Sequence, residues 1–219
     1  MVQTYGFIQL IMAIQGYGQY KDDFFNKLNF SFRQNSTLLD VGCGDGTDGK
    51  VFIREYGLKC FGFDLYKHEN IQNAGLRYSR GSIYSNPFKN RQFDYVYSHD
   101  VLHHVDEPKQ RRSMHIKALK EMRFACNKGG HIIIVEGNRY NPLFYPHMVK
   151  MHKHEHFTQK YFCALIEEIF AKDRVEYRFF EAHLYPFPFL FIFKIYETIM
   201  ECFSPKQFLA YNVAIIKRA

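Results

Sequence analysis

Residues 38–49, LLDVGCGDGTDG, constrain this chain more than any other stretch. Leu38, Leu39 and Val41 form the short apolar run of a buried parallel strand. Gly42, Gly44 and Gly46 then follow at alternate positions, so the backbone turns sharply and something must approach it where a Cβ would stand in the way. From Thr47 the run TDGKVFIREYG carries Val51 and Phe52 and closes at Gly57, which predicts a helix. A strand, a glycine loop and a helix N-terminus in that order build a corner for a nucleotide-sized ligand. A glycine-rich turn in some other α/β protein is the plain alternative.

At 219 residues the chain has room for one domain with a full core. Its 47% hydrophobic and 23% charged residues are those of an ordinary soluble globular protein. A net charge of +7 makes acidic partners conceivable. The positive charge is dispersed, however, with no long block beyond Lys109, Arg111 and Arg112. A solvated face is the expected explanation, and no specific nucleic acid is expected as a partner. Five cysteines without a C-x-x-C pair argue against a disulfide framework or a zinc site and for a reducing compartment. No secretory leader is visible, and residues 7–14, interrupted by Gln9, fall short of a membrane span. The expected location is cytoplasmic.

The glycine spacing narrows the ligand. A dinucleotide fingerprint would read G-x-G-x-x-G, with Gly or Ala where Thr47 stands; here Asp40 precedes G-x-G-x-G. That pattern resembles motif I of the class I S-adenosylmethionine-dependent methyltransferases, whose ligand carries no pyrophosphate. Residues 60–65 (CFGFDL) predict a second strand ending in an acid. Asp64 follows Asp40 by 24 positions, near the ~20-residue offset of a ribose-binding carboxylate. Its two oxygens suit a vicinal diol. A third strand over 76–80 leads to Ser82, which departs from the Asp many family members carry there, and to Ile83. A fourth strand over 93–98 runs into residues 99–108 (HDVLHHVDEP), which resemble the family's segment beside the sulfonium. A helix over about 109–126, stopped at Gly129 and Gly130, precedes a fifth strand over 131–136. These matches run in family order from about residue 38 to 138.

The resemblance implies an α/β fold: a doubly wound, mostly parallel seven-stranded sheet with helices on both faces and the last strand antiparallel. It would occupy about residues 37–219, behind an N-terminal helical lid over 1–36. The implied cofactor is S-adenosyl-L-methionine. Asp40, Gly42, Cys43, Gly44, Gly46, Asp64, Leu65, Ser82, Ile83, Ser98 and His99 would surround it, with Asp40 orienting the amino-acid tail and Asp64 the ribose. Tyr17 and Tyr20 are lid and substrate candidates, with surface aromatics beside a turn as the alternative. His103, His104 and His154 are the candidate bases; His104 matches the family's recurrent histidine, which is often structural.

Beyond Gly137 the chain becomes particular. A loop over about 138–157 is the expected substrate loop, and Glu136, Asn138, Asn141, His152 and His156 are its candidate contacts. His152, His154 and His156 alternate and would share a face in an extended segment, a conceivable metal triad. A polar loop over the site is the expected reading, and no metal is expected. Thr158 predicts the cap of a helix to about 171, followed by a sixth strand over 174–183 and an aromatic stretch, YPFPFLFIF, from residue 185. A helical insertion over about 186–204 would then interrupt the family's last hairpin. Core packing is its default role; a dimer contact and a peripheral membrane contact stay open. The expected function is methyl transfer to a small-molecule or lipid-like acceptor by a monomer or homodimer, with O-transfer as the working expectation. An RNA or protein methyltransferase and a non-catalytic cofactor-binding subunit are the alternatives.

Overall fold

The computed structural model describes residues 20–107, 109–151, 153, 155–182 and 190–219, and of His147 and Leu190 the backbone alone. Tyr17, His152, His154 and part of the lid and of the hairpin insertion lie outside the described residues. Seven strands are present: β1 (Thr37–Val41), β2 (Lys59–Asp64), β3 (Arg77–Arg80), β4 (Phe93–His99), β5 (Cys126–Gly137), β6 (Arg174–Phe180) and β7 (Tyr211–Lys217). The helices are α1 (residues 20–28), α2 (Thr47–Arg54), α3 (Arg112–Ala125), α4 (Gln159–Ile169) and α5 (Leu190–Phe203).

The strands form one sheet in the order β3-β2-β1-β4-β5-β7-β6. β1 to β5 run parallel, and β7 is antiparallel to both neighbours, inserted between β5 and β6. This is the expected sheet. The period of two along each strand sends alternate residues to opposite faces. Leu39, Val41, Phe61, Val96, Ile132 and Ile134 pack against Leu119 and Met122 of α3 and Phe162 and Ile166 of α4. Leu38, Cys60, Tyr95, Tyr97, Ile133 and Val135 pack against Phe24, Phe25 and Leu28 of α1 and Phe52 of α2. Helices thus cover both faces, as a buried parallel sheet requires.

Two local departures have clear causes. Gly129 and Gly130 do not stop α3; the helix ends at Ala125 and β5 begins at Cys126 without a loop. Gly130 lies against the Asp94 carbonyl, where a Cβ would stand 2.7 Å from that oxygen, so the glycine serves strand pairing. Thr158 does cap α4, its hydroxyl accepting the Tyr161 N–H at 3.2 Å.

The insertion helix α5 is tied to α1 by charge. Lys27 reaches Glu197 at 3.2 Å and Glu201 at 2.8 Å and also donates to the Glu181 carbonyl; Lys194 pairs with Asp23 at 2.6 Å. Phe191, Ile192, Ile195, Ile199 and Phe203 of α5 are exposed. No helix among the described residues is long and apolar enough to cross a membrane.

Because Glu197 is buried and shares Lys27 with two other acceptors, Lys27→Met is expected to lower stability by about 1–2 kcal/mol. Urea unfolding measures it; an unchanged midpoint would show that the α1–α5 tether carries no folding energy.

Candidate active site

The chain leaves β1 for β2 and β3 on one side and returns through β4 on the other, so the order reverses between β1 and β4. A crevice opens outside the carboxyl ends of strands at such a switch point. Here it is a cavity of about 600 Å³ lined by Asp40 and the glycine loop, by Tyr20 and Lys21 of α1, by His99 at the end of β4 and Asp100 after it, and by Leu143, Phe144, Met148 and His156.

The glycines make the corner. Gly42, Gly44 and Gly46 have φ of +72°, +50° and +78°, left-handed conformations that disfavour a side chain. A Cβ on Gly42 would lie 2.5 Å from Val101, and one on Gly46 would lie 2.4 Å from Ala74. Asp64 closes the loop from the end of β2: its Oδ2 accepts the Gly44 N–H at 3.0 Å and its Oδ1 the Tyr66 N–H at 3.2 Å.

The floor is electrostatically unusual. Asp40 is 3% exposed, and its Oδ2 has no hydrogen-bond partner among the described residues. Burial, together with the negative charge of Asp48, pushes its carboxyl well above the usual carboxylate range. Asp48, in the first turn of α2, goes the other way. Burial opposes its charge, but Lys21 at 2.5 Å and His99 at 3.0 Å outweigh burial and hold it ionised. Tyr97 donates to the same carboxylate at 3.1 Å, while His99 Nε2 meets the Tyr20 hydroxyl at 3.3 Å. Tyr20 in turn contacts the Tyr211 hydroxyl at 2.6 Å, and Phe24 stacks on His99 with centroids 4.6 Å apart. Burial also pushes the Cys43 thiol up, with Asp40 and Asp64 adding to it, so Cys43 is a small neutral wall rather than a nucleophile.

A sequence profile for the methyltransferase domain matches residues 14–169 of this chain. The chain belongs to the methyltransferase-domain family. An uncharacterized methyltransferase of Schizosaccharomyces pombe is 28% identical over 145 residues, covering 58% of this chain and 48% of that protein. A demethylmenaquinone methyltransferase of Oceanobacillus iheyensis is 21% identical over 195 residues, covering 84% and 76%. Among solved structures, phosphoethanolamine N-methyltransferase 2 of Haemonchus contortus in complex with S-adenosyl-L-methionine superposes with a TM-score of 0.58 at 16% identity, over 85% of this chain and 49% of that one. This family member therefore spans about half the length of the first of these relatives. Its fold is that of the class I S-adenosylmethionine-dependent methyltransferases, as the motif resemblance implied.

The expected site residues of this methyltransferase-family chain separate into three groups. Asp40, Gly42, Cys43, Gly44, His99, Tyr20 and His156 all line the cavity. Gly46, Asp64, Leu65, Ser82, Ile83 and Ser98 stand outside its lining. Gly46 packs on Ala74, Leu65 is exposed, and Ile83 joins the core on the α3 face. The Ser82 hydroxyl accepts the Tyr84 N–H at 3.2 Å. Ser98 is fully buried, on the strand face opposite Tyr97 and His99.

The third group is committed to the scaffold instead of to substrate. Glu136 is fully buried; its Oε1 accepts the Val101 and Leu102 N–H groups at 3.1 and 2.6 Å, and its Oε2 meets His103 Nδ1 at 2.7 Å. His103, not His104, is thus the histidine that fixes the turn after β4. Burial alone would lower its pKa, but Glu136 outweighs burial and holds it above the ordinary histidine value. His104 sits half-exposed beside Glu107 at 3.1 Å, away from the cavity. Asn138 donates to the Gln207 and Leu209 carbonyls, both at 2.8 Å. Asn141 donates to Glu181 at 2.9 Å and accepts from the Leu143 and Phe144 N–H groups at 3.0 and 3.1 Å. The end of β5 lies beneath loop backbone whose polar groups need partners, and these three side chains supply them. Lys21, Asp48, Asp100 and Tyr211 escaped sequence reading; only Asp48, an acid in a helix first turn, carried a local signal.

Two substitutions separate the roles. Removing one partner of a buried charged pair leaves the other uncompensated, so Glu136→Ala is expected to cost about 3–5 kcal/mol in chemical denaturation. A loss below about 1 kcal/mol would return Glu136 to the substrate-contact role. Asp40→Asn is expected to raise apo stability and weaken cofactor binding. An acid whose folded pKa is raised loses stability as pH climbs from its unfolded value of about 4 through the folded one. The melting-temperature advantage of Asp40→Asn should therefore widen from pH 4 upward; a gap that narrows would contradict the burial of an unpaired carboxyl.

Proposed function

We propose that this chain binds S-adenosyl-L-methionine in the cavity and transfers its methyl group to a small-molecule or lipid-like acceptor. The observation that carries the reading is Asp40, a buried carboxyl whose Oδ2 has no hydrogen-bond partner among the described residues, set at the opening of a loop of three left-handed glycines. Asp45, Asp48 and Asp100 share the cavity with it, against Lys21 among the lysines and arginines of the lining. A chain of net charge +7 thus gathers negative charge at one place, which favours a ligand bearing an ammonium and a sulfonium. When bound, the cofactor supplies an already activated methyl group. Asp40 receives the ammonium of its amino-acid tail, and the glycine loop admits that tail without a Cβ in the way. Asp64 lies just outside the lining and braces the loop through Gly44; its remaining lone pairs are the acceptors this reading assigns to the ribose hydroxyls.

The rest of the lining supports the acceptor class. Leu143, Phe144 and Met148 give it apolar surface, and Asp100 and His156 give it polar groups. An apolar molecule with one hydroxyl fits that division, with the apolar surface excluding water and the polar groups orienting the oxygen and drawing off its proton. The related proteins from Oceanobacillus iheyensis and Haemonchus contortus carry names of non-macromolecular acceptors, which agrees with this reading. Tyr20 and Lys21 of α1 line the cavity, with Tyr20 in contact with Tyr211, and this supports a lid role for that helix.

Calorimetry is expected to show one S-adenosyl-L-methionine per chain and at least tenfold weaker binding by Asp40→Ala; an inert wild type would sink the reading. Incubation of cell extract fractions with methyl-labelled cofactor is expected to place label in low-mass or lipid fractions. Label confined to RNA or protein would overturn the acceptor class.

A further inference from the structure

At the cavity, Asp100, His103 and His156 bring one donor atom each to within 4.8 Å of one another. They arrive from separate parts of the chain: Asp100 and His103 from the turn after β4, His156 from the loop that returns to α4. Two imidazoles and a carboxylate form a ligand set that suits first-row divalent cations and leaves coordination positions open. Bonds of about 2.0–2.2 Å place three such donors roughly 3–3.5 Å apart, so about 1 Å of side-chain movement closes the set.

The supports around the three residues are those of a built site. Glu136 holds His103 through Nδ1 at 2.7 Å, which leaves Nε2 as the ligating nitrogen and reproduces the carboxylate–histidine pairing found behind metal ligands. Asp100 adopts φ +54°, unusual for a residue with a side chain, and its Oδ1 is pinned by the Gly137 N–H at 2.8 Å. Gly137 itself makes room: a Cβ there would lie 2.9 Å from His156 Nδ1 and 3.4 Å from Asp100 Oδ1. The segment carrying His156 is strapped to the end of β5, since the Arg139 N–H donates to the Phe157 carbonyl at 2.9 Å and Arg139 pairs with Glu155. His103 and His156 are 1% and 7% exposed, whereas the Asp100 side chain is 36% exposed and lines the cavity with His156.

We propose that Asp100, His103 and His156 bind a divalent transition-metal cation of the zinc class, with an open position facing the acceptor. The metal site stands on its own geometry; its role rests on the acceptor reading above. In that role the acceptor hydroxyl ligates the cation, loses its proton to solvent, and forms its new O–CH₃ bond as the S–CH₃ bond breaks and the electron pair returns to sulfur. Coordination lowers the pKa of the hydroxyl, so its proton can leave to solvent while all three side chains stay on the cation.

Chelator-stripped full-length protein titrated with Co²⁺ alone tests the site through visible d–d absorption, followed by displacement with Zn²⁺. One equivalent is expected to saturate the wild type, Zn²⁺ to abolish the bands, and His156→Gln and Asp100→Ala each to weaken binding at least tenfold. His68→Gln, on an exposed loop, is expected to leave binding unchanged. Circular dichroism checks that the variants are folded; if either is not, the other carries the comparison. No saturable Co²⁺ spectrum in the wild type, or wild-type affinity in folded Asp100→Ala and His156→Gln, would overturn the proposal. Since S-adenosyl-L-methionine binding is measured separately, Co²⁺ binding without cofactor binding would defeat the methyl-transfer reading and leave the metal site standing, and the reverse result would do the opposite.

Discussion

The Asp48 carboxylate holds the site together. It lies in the first turn of α2, directly after the glycine loop, and collects Lys21 from α1, Tyr97 from within β4 and His99 from its end. Three elements far apart in sequence meet on two oxygens. A buried charge left alone would be costly, so each partner is needed to keep the others in place. Helix α1 is therefore not simply laid on the sheet by Phe24 and Phe25; it is positioned by an ion pair whose carboxylate also holds the His99 imidazole.

Around that anchor the cavity divides by charge and polarity. Asp40 is near Asp48 but has nothing comparable to neutralise it among the described residues. Such a carboxyl is costly in the empty protein and becomes favourable when a cationic group arrives, a familiar exchange of apo stability for ligand affinity. Leu143, Phe144 and Met148 add apolar surface to the same lining, and Asp100 and His156 line it too, with His103 beside them. Glu136 supports that cluster from below by accepting two backbone N–H groups and one imidazole. Fully buried and with three donors on it, that carboxylate serves the turn after β4.

The corner at residues 42–46 could be read from sequence because its cause is local. Positive φ at three nearby positions needs glycine whatever surrounds them, and the strand and helix on either side follow from short apolar patterns. The parallel sheet, the antiparallel insertion of β7 and Asp64 at the end of β2 were legible for the same reason, as element order and spacing. The roles of Glu136, Asn138 and Asn141 were not. Their position at the carboxyl end of β5 suggested substrate contact, but residues 207–209 return from far along the chain and present carbonyls that Asn138 and Asn141 satisfy. Likewise His103 and His104 are neighbours in sequence, and only packing decides that the first is buried on Glu136 while the second faces solvent.

Sequence by itself determined the class of fold, the glycine corner of left-handed backbone, and the acids at the ends of β1 and β2 beside it, since propensity, glycine conformation and spacing act over a few residues. Tertiary structure decided which polar side chains remain available for chemistry. That outcome depends on the long-range partners of each buried donor and acceptor, such as Lys21 on Asp48, Tyr211 on Tyr20 and His156 beside Asp100. Hydrogen-bond satisfaction is a property of the assembled interior, and no window of sequence contains it.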